Sequence, residues 1–143
     1  GHVGCGDLHS RSLGWGLVME NIDAIKRLSK LYGERATMLT NGIEQAEMVL
    51  MELPGKVRVA TDIGDGARLL WDRCNSDRWR IFYCWSDGES PLASCSVEVK
   101  AHAVKYLGCL FEDIEAALKK KNDAVCTGLG ALDLFFKPAK GEQ

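Results

Sequence analysis

The stretch that decides the fold is Met19–Leu53, MENIDAIKRLSKLYGERATMLTNGIEQAEMVLMEL. Apolar or small residues recur at alternating steps of three and four: Ile22, Ile25, Ser29, Tyr32, Ala36, Leu39, Ile43, Ala46, Leu50 and Leu53. That spacing puts them on one stripe of an amphipathic helix held over more than four heptads. Pro54-Gly55 closes it, because proline cannot continue the hydrogen-bond ladder and glycine accepts a non-helical turn. Gly33 and Gly42 each cost about 1 kcal/mol of helix propensity. Gly33 admits a helical hairpin as an alternative, but Glu34-Arg35-Ala36 resumes the pattern without a change of phase. A single helix from Met19 to Leu53, bent at Gly33 if anywhere, is the reading adopted.

Thirty-five helical residues would reach roughly 52 Å at the usual rise. A compact domain of this size has a diameter of roughly 37 Å. Such a helix outruns its own domain while still carrying an apolar stripe, and a stripe of that length calls for cover. A homodimer covers it with one self-complementary surface. Ile25, Tyr32, Leu39, Ile43 and Leu50 are the interface positions this implies. Leu28 and Val49 broaden the stripe, so part of the helix is expected on the body of the same chain and part on the partner.

Beyond Pro54-Gly55 the period changes to two. Lys56-Val57-Arg58-Val59-Ala60-Thr61 alternates as a half-buried strand does, and Asp62-Ile63-Gly64-Asp65-Gly66 is a turn. Ala67–Cys74 and Arg78–Ser86, joined through Asn75-Ser76-Asp77, form a hairpin. With Cys74 opposite Arg78, one face holds Leu69, Trp71, Trp79, Ile81, Tyr83 and Trp85. The other holds Leu70 against Phe82, and Asp72 against Arg80 as a cross-strand ion pair. A short fourth strand follows near Pro91-Leu92. Ser94 or Ser96 caps a further helical stretch in which Val97, Val104, Leu107, Phe111, Ile114 and Leu118 hold heptad phase. Gly108 is a point where it bends or divides, and Lys119-Lys120-Lys121 suits its C-terminal end. Residues 124–136 read equally as a docking helix or an edge strand.

The fold class is therefore α+β: a long N-terminal amphipathic helix, a three- to four-stranded antiparallel meander, and C-terminal helices packed on one sheet face. Residues 19–137 form the single domain. Residues 1–18 are a glycine-rich leader with five of the fifteen glycines and no sustained period. Gly1-His2 reads as the remnant of a cleaved tag, and Met19 would serve as a translation start. Residues 138–143 are a polar tail.

Composition narrows the function. The chain has 143 residues, 46% apolar, with eighteen basic and twenty acidic residues and a net charge of −2. That balance speaks against a nucleic-acid or anionic-membrane partner. No apolar run approaches the roughly 20 residues of a membrane span. Six cysteines, at 5, 74, 84, 95, 109 and 126, include no close pair of the kind zinc sites use. Without a secretory signal they read as free thiols in a reducing cytoplasm.

Each chemical candidate has a plainer reading. His2, Cys5 and His9 have ligand spacing but no fourth ligand, so no metal site is assigned. Cys95 lies near a helix start, but His102 is two turns away, about 10.5 Å along the axis and beyond the reach of a base. Gly128-Leu129-Gly130 lacks the rest of a dinucleotide fingerprint. Asp62, Asp65 and Glu89 are turn acids that form a cation or acid–base site only if folding gathers them. No catalytic residue and no cofactor is assigned. The expectation is a non-enzymatic cytoplasmic protein that homodimerises through its long helix and acts on a protein partner. The alternative is a small-ligand binder with a pocket between sheet and helices, lined by Trp71, Trp79, Tyr83 and Trp85.

Overall fold

The computed structural model of the chain describes residues 8–75 and 77–136, with side chains from residue 14 onward. Two compact units are distinguished, Gly1–Leu39 and Thr40–Gln143. The elements run α1 (Leu8–Met51), β1 (Val59–Gly64), β2 (Ala67–Asn75), β3 (Arg78–Trp85), β4 (Gly88–Pro91), α2 (Val97–Ala103) and α3 (Leu107–Phe136). Short 3-10 turns at Leu92–Ser94 and Val104–Tyr106 flank α2. The sheet is an antiparallel meander in the order β1-β2-β3-β4. The architecture is α+β.

The helix passes through Gly33 without a break, and the Thr37 hydroxyl donates to the Gly33 carbonyl at 3.0 Å. It begins at Leu8 rather than near Met19. Trp15 and Val18 lie seven and four residues before Ile22 and hold the same phase. Extending a formed helix avoids a second nucleation, so Gly14 and Gly16 are carried along. At the other end, regular helix stops at Met51, and the Lys56 ammonium donates to the Leu53 carbonyl at 2.7 Å.

The strand pairing follows the hydrophobic pattern. Leu69, Leu70, Trp71 and Asp72 stand opposite Tyr83, Phe82, Ile81 and Arg80. The register slips only at the turn, where Asn75 opposes Arg78 and Cys74 becomes the extra residue of a bulge. Alternation then sorts the faces. Leu69, Trp71 and Ile81 pack into the main core with Ile43, Leu50, Leu92, Ala103, Leu110 and Ile114. Leu70, Phe82 and Cys84 form a small cluster on the opposite face. The β1–β2 turn needs left-handed backbone at three successive residues, Gly64 (φ 89°), Asp65 (φ 54°) and Gly66 (φ 74°), which two glycines and an aspartate tolerate best.

One expected pair is redistributed. Asp72 does face Arg80 across the hairpin, but the two do not bond. Asp72 Oδ2 accepts from Arg58 Nε at 3.2 Å. Arg80 Nε and Nη2 instead each donate at 3.4 Å to the carboxylate of Glu47 on α1. Glu47 is only 3% exposed, and a buried carboxylate without a counter-charge costs more than a surface ion pair gains.

The C-terminal helices also differ from expectation in where they break. Ser96 caps α2, its hydroxyl accepting from the Val99 amide at 3.3 Å. The interruption comes at Val104–Tyr106 and not at Gly108. Residues 124–136 are helical, so α3 runs uninterrupted to Phe136 and Lys119-Lys120-Lys121 lies within it rather than at its end.

Candidate functional site

Within the first unit, α1 presents its apolar stripe to solvent. Trp15, Ile25, Leu28 and Tyr32 are each more than half exposed, and Val18, Met19 and Ile22 lie between a third and a half. Of the interface positions read from sequence, Ile25 and Tyr32 belong to this bare part and Leu39 is partly buried. Ile43 and Leu50 do not. Both are interior residues of the second unit, packed in the main core, and offer nothing to a partner. The same helical face is thus used in two ways, internally from Ile43 onward and externally before it.

The last turns of α1 also do something that the stripe alone does not announce. Strand β4 is short and pairs only with Phe82–Trp85, so among the described residues no strand lies beside the first half of β3 on that side. There the Ile81 amide donates to Glu47 Oε2 at 2.8 Å and the Trp79 amide donates to Met51 Sδ at 3.3 Å. Two side chains one helical turn apart, Glu47 and Met51, match two amides two residues apart on a strand. They replace the missing strand. An open concavity of about 580 Å³ lies beside this junction, bordered by Glu44, Glu47, Met48, Met51, Asp77, Arg78 and Trp79. Sequence reasoning missed Glu47. The signal was a carboxylate seated between Ile43 and Leu50 in a stripe that is otherwise buried there.

The aromatic set is divided among three environments. Trp71 is wholly interior and meets Trp79 with ring centroids 5.5 Å apart. Tyr83 is half-buried and lies 6.0 Å from the exposed Trp85 ring. Of the four, Trp79 alone borders the concavity.

The remaining candidates resolve into local roles. The Cys95 thiol donates to the Pro91 carbonyl at 3.4 Å, and burial pushes its pKa up, which keeps it a protonated donor. His102 is exposed and meets Tyr106 edge-on at 5.4 Å. Asp62 Oδ1 accepts from the Gly64 amide at 3.1 Å, ordinary turn chemistry. Among the described residues no three His, Cys, Asp or Glu side chains gather as a metal site. The side chains of His2, Cys5 and His9 lie outside the described residues. Gly128-Leu129-Gly130 sits inside α3 and is exposed. The five cysteines at 74, 84, 95, 109 and 126 are free.

Two further buried polar groups are engaged in packing. Thr61 donates to Asp113 Oδ2 at 2.7 Å, tying β1 to α3. Lys100 donates to the Thr40 hydroxyl at 2.6 Å and the Ala93 carbonyl at 3.4 Å. Among the described residues no helix is long and apolar enough to cross a membrane. Compared with family models, curated proteins and solved structures, the chain matches none.

Proposed function

We propose that the chain acts without catalysis, as a homodimer joined along the apolar stripe of α1, and works through protein–protein contact. The observation that carries this reading is the run of exposed Trp15, Val18, Met19, Ile22, Ile25 and Tyr32 on one face of a continuous helix. Contiguous apolar surface of more than roughly a few hundred Å² is uncommon on a protein that stays alone. A second copy presents the same stripe, so the two cover each other about a two-fold axis. The buried polar groups support the same reading, since Glu47, Thr61 and Lys100 are all engaged in holding elements together.

Sedimentation equilibrium of the chain and of an I25E/Y32E variant tests it. Both positions are exposed, so the substitutions leave the core intact. The expected result is self-association of the chain, weakened at least about a hundredfold in the variant, a difference of roughly 2.7 kcal/mol in pairing. A chain that is monomeric at tens of micromolar, or one whose assembly the variant leaves unaltered, overturns the proposal.

A further inference from the structure

Strand β1 ends the sheet, so among the described residues one of its flanks faces no strand. Among the described residues no hydrogen bond from another element closes that flank. Its residues alternate strictly: Val59, Thr61 and Ile63 are buried beneath the helices, while Ala60 and Asp62 face outward with Arg58 just before them. We propose that this edge pairs, antiparallel, with the β1 edge of a second copy of the chain, centred on Ala60. The surface is separate from the α1 stripe and does not rest on that reading; where both form, dimers joined along α1 are linked to one another through β1.

The argument is charge complementarity. Edge strands commonly carry charge that repels a like neighbour. Here one charge of each sign stands two residues either side of Ala60. Pairing about Ala60 sets Arg58 opposite Asp62 of the second copy, and Asp62 opposite its Arg58. On the inner face Val59 meets Thr61 of the second copy. The signs already alternate across this face of the sheet: Arg80 and Asp72 are paired on β3 and β2, Arg58 just before β1 bonds to Asp72, and Arg68 is paired with Asp62. The second copy continues the row without a clash, as Arg80, Asp72, Arg58, then Asp62 and Arg68 of the neighbour. Capacity remains for it. Arg58 uses Nε toward Asp72 while its side chain is 61% exposed, and Asp62 uses only Oδ1 in its turn. Ala60 at the centre brings no bulk to the two-fold axis.

Two experiments decide it, both in the I25E/Y32E background so that α1 contributes nothing. The first uses charge. R58E alone and D62R alone each juxtapose like charges twice, and each weakens association about tenfold. In an equimolar mixture the introduced glutamate of one variant faces the introduced arginine of the other. The unaltered Asp62 of the first then faces the unaltered Arg58 of the second, and the mixture recovers the association of the parent. The second experiment uses distance. Directly opposed residues of an antiparallel pair have Cα atoms about 4.5–5.5 Å apart, within the span of about 4.4–6.8 Å that a disulfide bridges. A60C therefore yields a 60–60 link under mild oxidation, identified by peptide mass, whereas D65C at the turn does not. A mixture that associates no better than its components, absence of the 60–60 link, or a background that stays monomeric overturns the proposal. Failure of the α1 reading appears elsewhere, as identical masses for the chain and for I25E/Y32E.

Discussion

The two edges of the sheet are finished in different ways. At the β4 side, Pro91 stands opposite Phe82, where a residue without an amide proton ends the ladder. Past it, Glu47 and Met51 of α1 take the Ile81 and Trp79 amides. At the β1 side no helix or loop among the described residues does the same, and only Arg58, Ala60 and Asp62 mark the outward face. One edge is closed from within the subunit, by side chains that lie 34 and 28 residues away in sequence from the amides they meet. The other keeps its backbone groups available and carries charges arranged to fit a copy of itself. An edge of the first kind resists pairing with any strand; an edge of the second kind admits one partner and disfavours others.

Breaking the closed edge gives the largest effect. Glu47→Ala leaves the Ile81 amide without its acceptor and the Arg80 guanidinium without its counter-charge. Urea unfolding should show a loss of about 3 kcal/mol. In the I25E/Y32E background the same variant should acquire association that R58E does not remove, because a second edge has been opened. Met51→Ala removes the acceptor for Trp79 and a half-buried side chain, and should cost about 2 kcal/mol by the same measurement. Glu47→Gln keeps an acceptor oxygen, so its loss should be clearly smaller than that of the alanine variant.

On the β1 side the effects on folding are milder. Thr61→Val removes the bond to Asp113, which is itself exposed and can turn to water, so about 1 kcal/mol is expected. The smallest effect concerns pH. Burial, with Glu89 beside it, raises the pKa of the Cys84 thiol above its ordinary 9.0. The folded state then holds the proton more firmly than the unfolded one. Its contribution is complete below about pH 9 and is lost as pH rises through the higher folded value. Thermal unfolding of the chain and of Cys84→Val should therefore change in step below about pH 9 and diverge as pH rises from there towards the folded value, with the variant falling less steeply. Equal slopes would remove Cys84 from the account.

Much of the architecture was readable beforehand, for reasons particular residues make plain. The step between Ile22 and Leu53 kept its phase through Gly33, and a loop would have reset it. Leu69, Trp71 and Ile81 fell on one face because strand alternation has a period of two, and a slip of one residue would have buried Asp72. The site was less legible. Trp15 and Val18 continue the stripe, but neighbouring glycines hid the helix that carries them. Residues 124–136 were ambiguous because Leu132, Leu134, Phe135 and Phe136 suit strand and helix alike. Glu47 is marked as inward-facing by its place between Ile43 and Leu50, but nothing local names the strand amide and the guanidinium it meets.

Periodicity is a property of neighbours along the chain, so helix, meander and register were all present in the order of residues. Which amides remain after the strands have paired is not such a property. It depends on β4 stopping at Pro91, on α1 lying against β3, and on Arg80 turning to Glu47 instead of to Asp72 across the hairpin. Those choices compare the burial of one group with the desolvation of another. Only the folded arrangement brings both into the same place.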